Sequence, residues 1–72
     1  MVNIIRIDKD IMGGTPVFNG TRVPIQTFFD YVEGEQTIEE FLQDFPTVKK
    51  DQVIALLEQL KAQALKNIPS AA

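Results

Sequence analysis

The sequence predicts a small α+β domain, mainly α: an N-terminal strand and β-hairpin followed by three helices with helix-turn-helix order. Three observations carry this prediction. Asn3–Ile7 is β-branched and alternates; Asn19-Gly20 sits between short apolar runs; and apolar residues then recur at helical spacing in three separate stretches up to Ile68. In the first stretch Ile5 and Ile7 share one face and Ile4 and Arg6 the other, which suits a strand in need of a neighbour. The hairpin supplies one, and the same strand of a second copy is the alternative.

Asn19-Gly20 is the dipeptide that best accepts the two positive φ angles of a type I′ turn. That turn sets Phe18 opposite Thr21, Val17 opposite Arg22 and Pro16 opposite Val23, so Arg22 stands on a rigid ribbon beside Val17. A β-branched residue at Gly20 is then expected to cost roughly 1 kcal/mol or more in backbone strain. Pro24 removes a backbone donor and fixes the φ of a first helical residue. The first helix is accordingly expected over Pro24–Glu33, with Ile25, Phe28, Phe29 and Val32 on one face and Gly34 as the left-handed residue that ends it.

Thr37-Ile38-Glu39-Glu40 reads as a capping box, and Ile38, Phe41, Leu42 and Phe45 continue the apolar face. Pro46 biases Phe45 away from the helical region, so this second helix stops near Asp44. A corner at Phe45-Pro46-Thr47 follows, with Thr47 expected to cap a third helix from Val48 to about Lys66. Its stripe is Val53, Leu56, Leu57, Leu60 and Ala64. At ~1.5 Å per residue it extends nearly 30 Å, more than the two shorter helices cover. Leu57, Leu60, Ala64, Leu65 and Ile68 are therefore the expected surface for a second copy or another protein.

Residues 1–68 are read as a single domain, 1–23 as strand and hairpin, 24–68 as the helices and 69–72 as a frayed tail. A chain of 72 residues buries a modest share of its surface, which favours a homodimer. Hydrophobic residues make up 44% without any long apolar run, which argues against a membrane span. No signal-like leader and no cysteine make the cytoplasm the expected setting.

The residue types argue for binding over catalysis. There is no His or Cys, and the only Ser is Ser70, so the commonest general base, the thiol nucleophile and the usual zinc ligands are missing. Asp8 and Asp10 read as solvated turn charges, and Gly13-Gly14-Thr15 as a tight turn, in preference to a metal pair and a phosphate cradle. No catalytic residue, metal or cofactor is implied. Net charge is −3, but unevenly spread: six acids and no Lys or Arg occupy Asp30–Asp44, whereas four Lys face only Asp51 and Glu58 from Lys49 onward. If the third helix reads DNA, Lys49, Lys50 and Gln52 in its first turns and Arg22 on the hairpin are the expected contacts, although exposed Lys and Gln are also what any solvated helix carries.

Ile11–Phe18 with its Gly-Gly-Thr-Pro, Gly20-Thr21-Arg22-Val23-Pro24, Gly34, Glu39-Glu40 and Phe45-Pro46 together resemble the small prokaryotic family catalogued as domain of unknown function 433, over Met1 to about Ala64. Many members carry Asp-Pro before the Gly-Gly block where this chain has Lys9-Asp10. The resemblance implies a homeodomain-like helix-turn-helix and, for some relatives, an antitoxin role beside a PIN-like ribonuclease toxin. The leading expectation is thus an antitoxin-like protein binding a PIN-like toxin and operator DNA. The alternative, which the acidic middle favours, is a protein-interaction or oligomerisation module without DNA binding.

Overall fold

The computed structural model describes residues 4–68; the expected strand start at Asn3 and the tail at 69–72 lie outside the described residues. Strand β1 (Ile5–Arg6) pairs antiparallel with β2 (Val17–Phe18), Ile5 opposite Phe18 and Arg6 opposite Val17. Helices α1 (Ile25–Glu33), α2 (Ile38–Asp44) and α3 (Lys50–Lys66) follow. The chain is thus α+β and mainly α.

Val17 also bridges Pro24. β2 is therefore flanked on both sides, and Val17 and Phe18 are fully buried. This pairing corrects the expected hairpin register by two residues, since Phe18 faces Val23 and donates its N–H to the Val23 carbonyl at 3.0 Å. The turn itself is Phe18–Thr21, closed by the Thr21 N–H on the Phe18 carbonyl at 3.0 Å. Only Gly20 in it has positive φ, +80°, which matches a type II turn and not the I′ turn expected from Asn-Gly. Thr21 explains the preference: its buried hydroxyl donates to Phe18 O at 2.8 Å and accepts the Val23 N–H at 3.0 Å, which folds Arg22 out to solvent.

Tertiary bonds clamp this turn. The Asn19 N–H donates to the Ile4 carbonyl at 2.9 Å, and its carbonyl accepts from Gln52 Nε2 of α3 at 2.8 Å. Gln52 Oε1 in turn accepts the Lys49 N–H at 2.9 Å, so the expected cap at Thr47 is replaced by Lys49 with Gln52 reaching back. The helix starts later than Val48 because Val48 N–H closes a turn on the Phe45 carbonyl at 3.0 Å and buries its side chain in the core. The α2–α3 corner accordingly runs over Phe45–Lys49, longer than the expected Phe45-Pro46-Thr47.

The ends of α1 shift in a similar way. Pro24 stands just outside the helix as its cap, with ψ 142°. Gly34 has φ −88°, and the left-handed residue is Glu35, at φ +66°. The Gln36 N–H donates to Tyr31 O at 2.9 Å and the Glu35 N–H to Val32 O at 3.2 Å, a Schellman closure displaced by one residue. The capping box on α2 forms as its sequence implies: Glu40 N–H donates to Thr37 Oγ1 and Thr37 N–H to Glu40 Oε1, both at 3.1 Å.

The core joins Phe18, Val23, Ile25, Phe28, Phe41, Val48, Val53 and Leu56. All five Phe and the single Tyr belong to one chain of ring contacts, with centroids 5.2–6.3 Å apart. Phe41 touches Phe18, Phe28, Tyr31 and Phe45. At its rim the Tyr31 hydroxyl donates to Asp44, which ties α1 to the end of α2.

Two outcomes follow. Glu35→Gly removes a side chain from a left-handed residue and is expected to stabilise the fold by about 0.5–1 kcal/mol, measured by urea denaturation. The bond to Asp44, then burial, hold the Tyr31 hydroxyl above its ordinary 10.0. A raised pKa means that the contribution of this bond is complete below the ordinary value and is lost as pH climbs through the raised one. With one Tyr and no Trp, ultraviolet absorbance reads this titration directly. The midpoint should lie above 10 in the native protein and fall back in Asp44→Asn; an unchanged midpoint in that variant contradicts the assignment.

Candidate nucleic-acid interface

The folded chain gathers positive charge on the side where the Phe18–Thr21 turn meets the α2–α3 corner. Because Gln52 anchors the start of α3 to Asn19, this corner is fixed beside Arg22. Arg22 is exposed and lines an open cavity of about 470 Å³ together with Arg6 of β1 and Thr47 of the corner. The acid-bearing stretch Asp30–Asp44 belongs to the end of α1, its closure and α2. Sequence charge segregation thus becomes segregation between elements.

The expected DNA contacts fare differently. Lys49 and Lys50, at the cap and first position of α3, are both exposed. Cations at a helix N-terminus oppose the macrodipole by a few tenths of a kcal/mol each, and Asp51 offsets part of this. Gln52 is half-buried with both amide atoms bonded inside the chain, so it acts as a staple and is withdrawn from the exposed set. Arg22 has no acid partner: among the described residues the ion pairs are Arg6–Asp8 at 3.2 Å and Lys61–Glu58 at 3.1 Å. The place expected for Arg22 on the ribbon beside the buried Val17 is therefore replaced by an exposed side chain with no ion pair among the described residues.

Arg6 was not legible as a site residue. The alternation that places it on a strand face says nothing about register, and only the pairing of β1 with β2 brings it to the cavity. Asp8 holds it there. The Asp8 carboxyl lies below its ordinary value, first because it accepts the Asp10 N–H at 2.8 Å and second because of the Arg6 guanidinium. This is the turn role expected for Asp8. Among the described residues no group of three or more His, Cys, Asp or Glu is placed to hold a metal. Gly13 and Gly14, at φ +66° and +94°, follow a left-handed Met12 in a tight turn between the strands.

The expected interface residues divide along α3. Leu57 packs partly against the core, next to the buried Val53 and Leu56, and is withdrawn from the free surface. Beyond it Leu60 is 41%, Leu65 62% and Ile68 60% exposed, and Ala64 is exposed as well. The long dimension of the molecule, 45 Å against 28 and 21 Å, reflects this projecting end. No helix among the described residues is long and apolar enough to cross a membrane.

The comparisons with known proteins agree with the motif reading. "Uncharacterized protein y4eO" of Sinorhizobium fredii (strain NBRC 101917 / NGR234) is 34% identical over 50 residues, which cover 69% of this chain but 23% of that relative. The chain therefore corresponds to about a quarter of the relative's length. No solved structure matches the chain. The model of the family described as "Protein of unknown function (DUF433)" matches residues 5–58, from β1 through the core-packed half of α3, and the chain belongs to this family.

Proposed function

We propose that this chain is an antitoxin-like binding protein: a cytoplasmic homodimer that holds a PIN-like ribonuclease toxin and binds its own operator DNA. The observation that carries the reading is the division of α3. Its first half completes the core through Val53 and Leu56, while its second half projects Leu60 and Leu65, with Ile68 just past its end, into solvent. Apolar residues grouped on a projecting helix end favour association with a protein surface. The kind of partner is taken from the family resemblance of Gly20-Thr21-Arg22-Val23-Pro24 and its neighbouring motifs, which implies, for some relatives, an antitoxin role beside a PIN-like ribonuclease toxin.

The operator arm of the proposal rests on Lys49 and Lys50. Two exposed lysines at the end of a helix that disfavours them are a local cost without a structural return, a pattern expected where function needs the charge. α2, the Phe45–Lys49 corner and α3, with α1 packed behind, would then serve as a helix-turn-helix. With Gln52 occupied, this arm relies on phosphate contacts more than on base reading. That occupancy, with the acidic α2, also favours the second reading, a protein-interaction module without DNA binding.

Replacing both Lys49 and Lys50 by Ala is expected to weaken binding to the DNA upstream of the gene and to reduce the salt slope by about 2, with binding to the product of the adjacent reading frame unchanged. Mobility shifts at low salt, with and without that product, check this; no shift in either case sinks the operator arm and leaves the module. For the protein arm, Leu60→Asp sets a charge in the exposed apolar end and should lower the dimer mass seen by light scattering without unfolding the core. Wild-type protein that stays monomeric at every concentration removes the dimer.

A further inference from the structure

The cavity beside Arg22 brings two arginines from separate elements onto one mainly apolar wall. Arg6 comes from β1, Gly20 and Arg22 from the turn and Thr47 from the α2–α3 corner, with Ile11 and Val23 as apolar wall. No carboxylate lines it. The backbone N–H groups of Gly20 and Arg22 and the Thr47 hydroxyl find no acceptor among the described residues. Arg22 has no acid partner, and Arg6 gives Asp8 a single bond from Nη2, which fixes its guanidinium and leaves further N–H groups to donate. Nothing in the turn requires an arginine at position 22, because the Thr21 hydroxyl and the φ of Gly20 hold the loop.

We infer that this cavity is a phosphate-binding site, which takes the phosphate group of a nucleotide monoester or diester between Arg6 and Arg22. Two guanidinium groups lining one cavity match the planar forks and multiple acceptors of phosphate better than they match a single carboxylate. At about 470 Å³ the cavity is of a size with sites for small ligands. The phosphate can belong to a free nucleotide or to a nucleic-acid backbone. In the first case the site is independent of the operator reading; in the second it supplies that reading with contacts beyond the two lysines.

The test follows amide chemical shifts by NMR in the full chain. Adenosine 5′-monophosphate should give saturable shifts centred on Gly20, Thr21 and Arg22, whereas adenosine, and sodium chloride at matched ionic strength, should not. Arg22→Gln and Arg6→Gln should each weaken the binding about tenfold, with the spectrum of the core unchanged, and Lys49→Ala/Lys50→Ala should leave it intact. A 12-base-pair duplex that moves the same amides and competes with the nucleotide supports the site with the backbone as its source. A duplex without effect supports it with the free nucleotide as source. Shifts that chloride reproduces, or that persist in Arg22→Gln for both probes, overturn the inference. Because the lysine variant retains the cavity, loss of operator binding and loss of this site are separable.

Discussion

The structure depends on the burial of one ring. Phe41 is fully enclosed and lies against Phe18 of β2, Phe28 and Tyr31 of α1 and Phe45 at the corner, so its ring contacts join the strands, the first helix and the turn into α3. Removing such a ring typically costs about 3–5 kcal/mol, a large part of the stability of a chain this small. α2, over Ile38–Asp44, is too short to persist on helical propensity. The Thr37–Glu40 box fixes where it begins, the ring fixes how it packs, and together they fix where the corner leaves it. The relation between Thr47 and the Phe18–Thr21 turn, and so the shape of the cationic cavity, descends from that packing.

A second constraint works through polar bonds. The turn has its Asn19 N–H on Ile4 and its Asn19 carbonyl on Gln52, two elements that do not touch each other through their own ladders. Gln52 also receives the Lys49 N–H, so a single side chain ends the corner, starts α3 and holds the turn. Half-burial raises the importance of these bonds, since breaking either one leaves an amide group short of water as well as of partner. The same engagement decides chemistry: the side chain that best suits base recognition is spent on structure, and the charges around it remain available.

What could be read from the sequence was local. The capping box and the stop before Pro46 each follow from residues within a turn or two of each other and stand where those residues imply; of the α1 stripe Ile25, Phe28 and Phe29 face the core, but Val32 is exposed and Tyr31 packs in its place. Failures begin where distant groups compete. Asn-Gly favours a type I′ turn in isolation, but Thr21 can satisfy Phe18 and Val23 only in a wider loop, and the register moves by two. Gly34 is the natural left-handed terminus, yet a Cβ there would stand 3.0 Å from the Asp30 carbonyl oxygen, so glycine serves the close approach and Glu35 takes the positive φ. For the site, the exposure of Lys49 and Lys50 was accessible from the charge pattern, whereas that of Arg22 was not, because the expected register set it beside the buried Val17. The contribution of Arg6 was not, because it needs the β1–β2 register, and the loss of Gln52 was not, because its partner lies 33 residues away.

α3 carries both departures from an ordinary solvated helix, at opposite ends. Lys49 and Lys50 set positive charge where the helix dipole is already positive, and Leu60, Leu65 and Ile68 set apolar surface where water is. Over Lys50–Lys66 these ends are about 25 Å apart at ~1.5 Å per residue. Two ligands, one anionic at the corner and one apolar at the projecting end, therefore do not exclude one another sterically. The helix between them is anchored in the core by Val53 and Leu56, so its direction relative to the corner is fixed. If two copies join through the free end, the distance between their cationic corners is set by one rigid element per copy, and anything that repacks that end changes the spacing of the corners with it. The proposed partner and the proposed anion sites are thereby coupled through geometry alone, without requiring a conformational change inside the aromatic core.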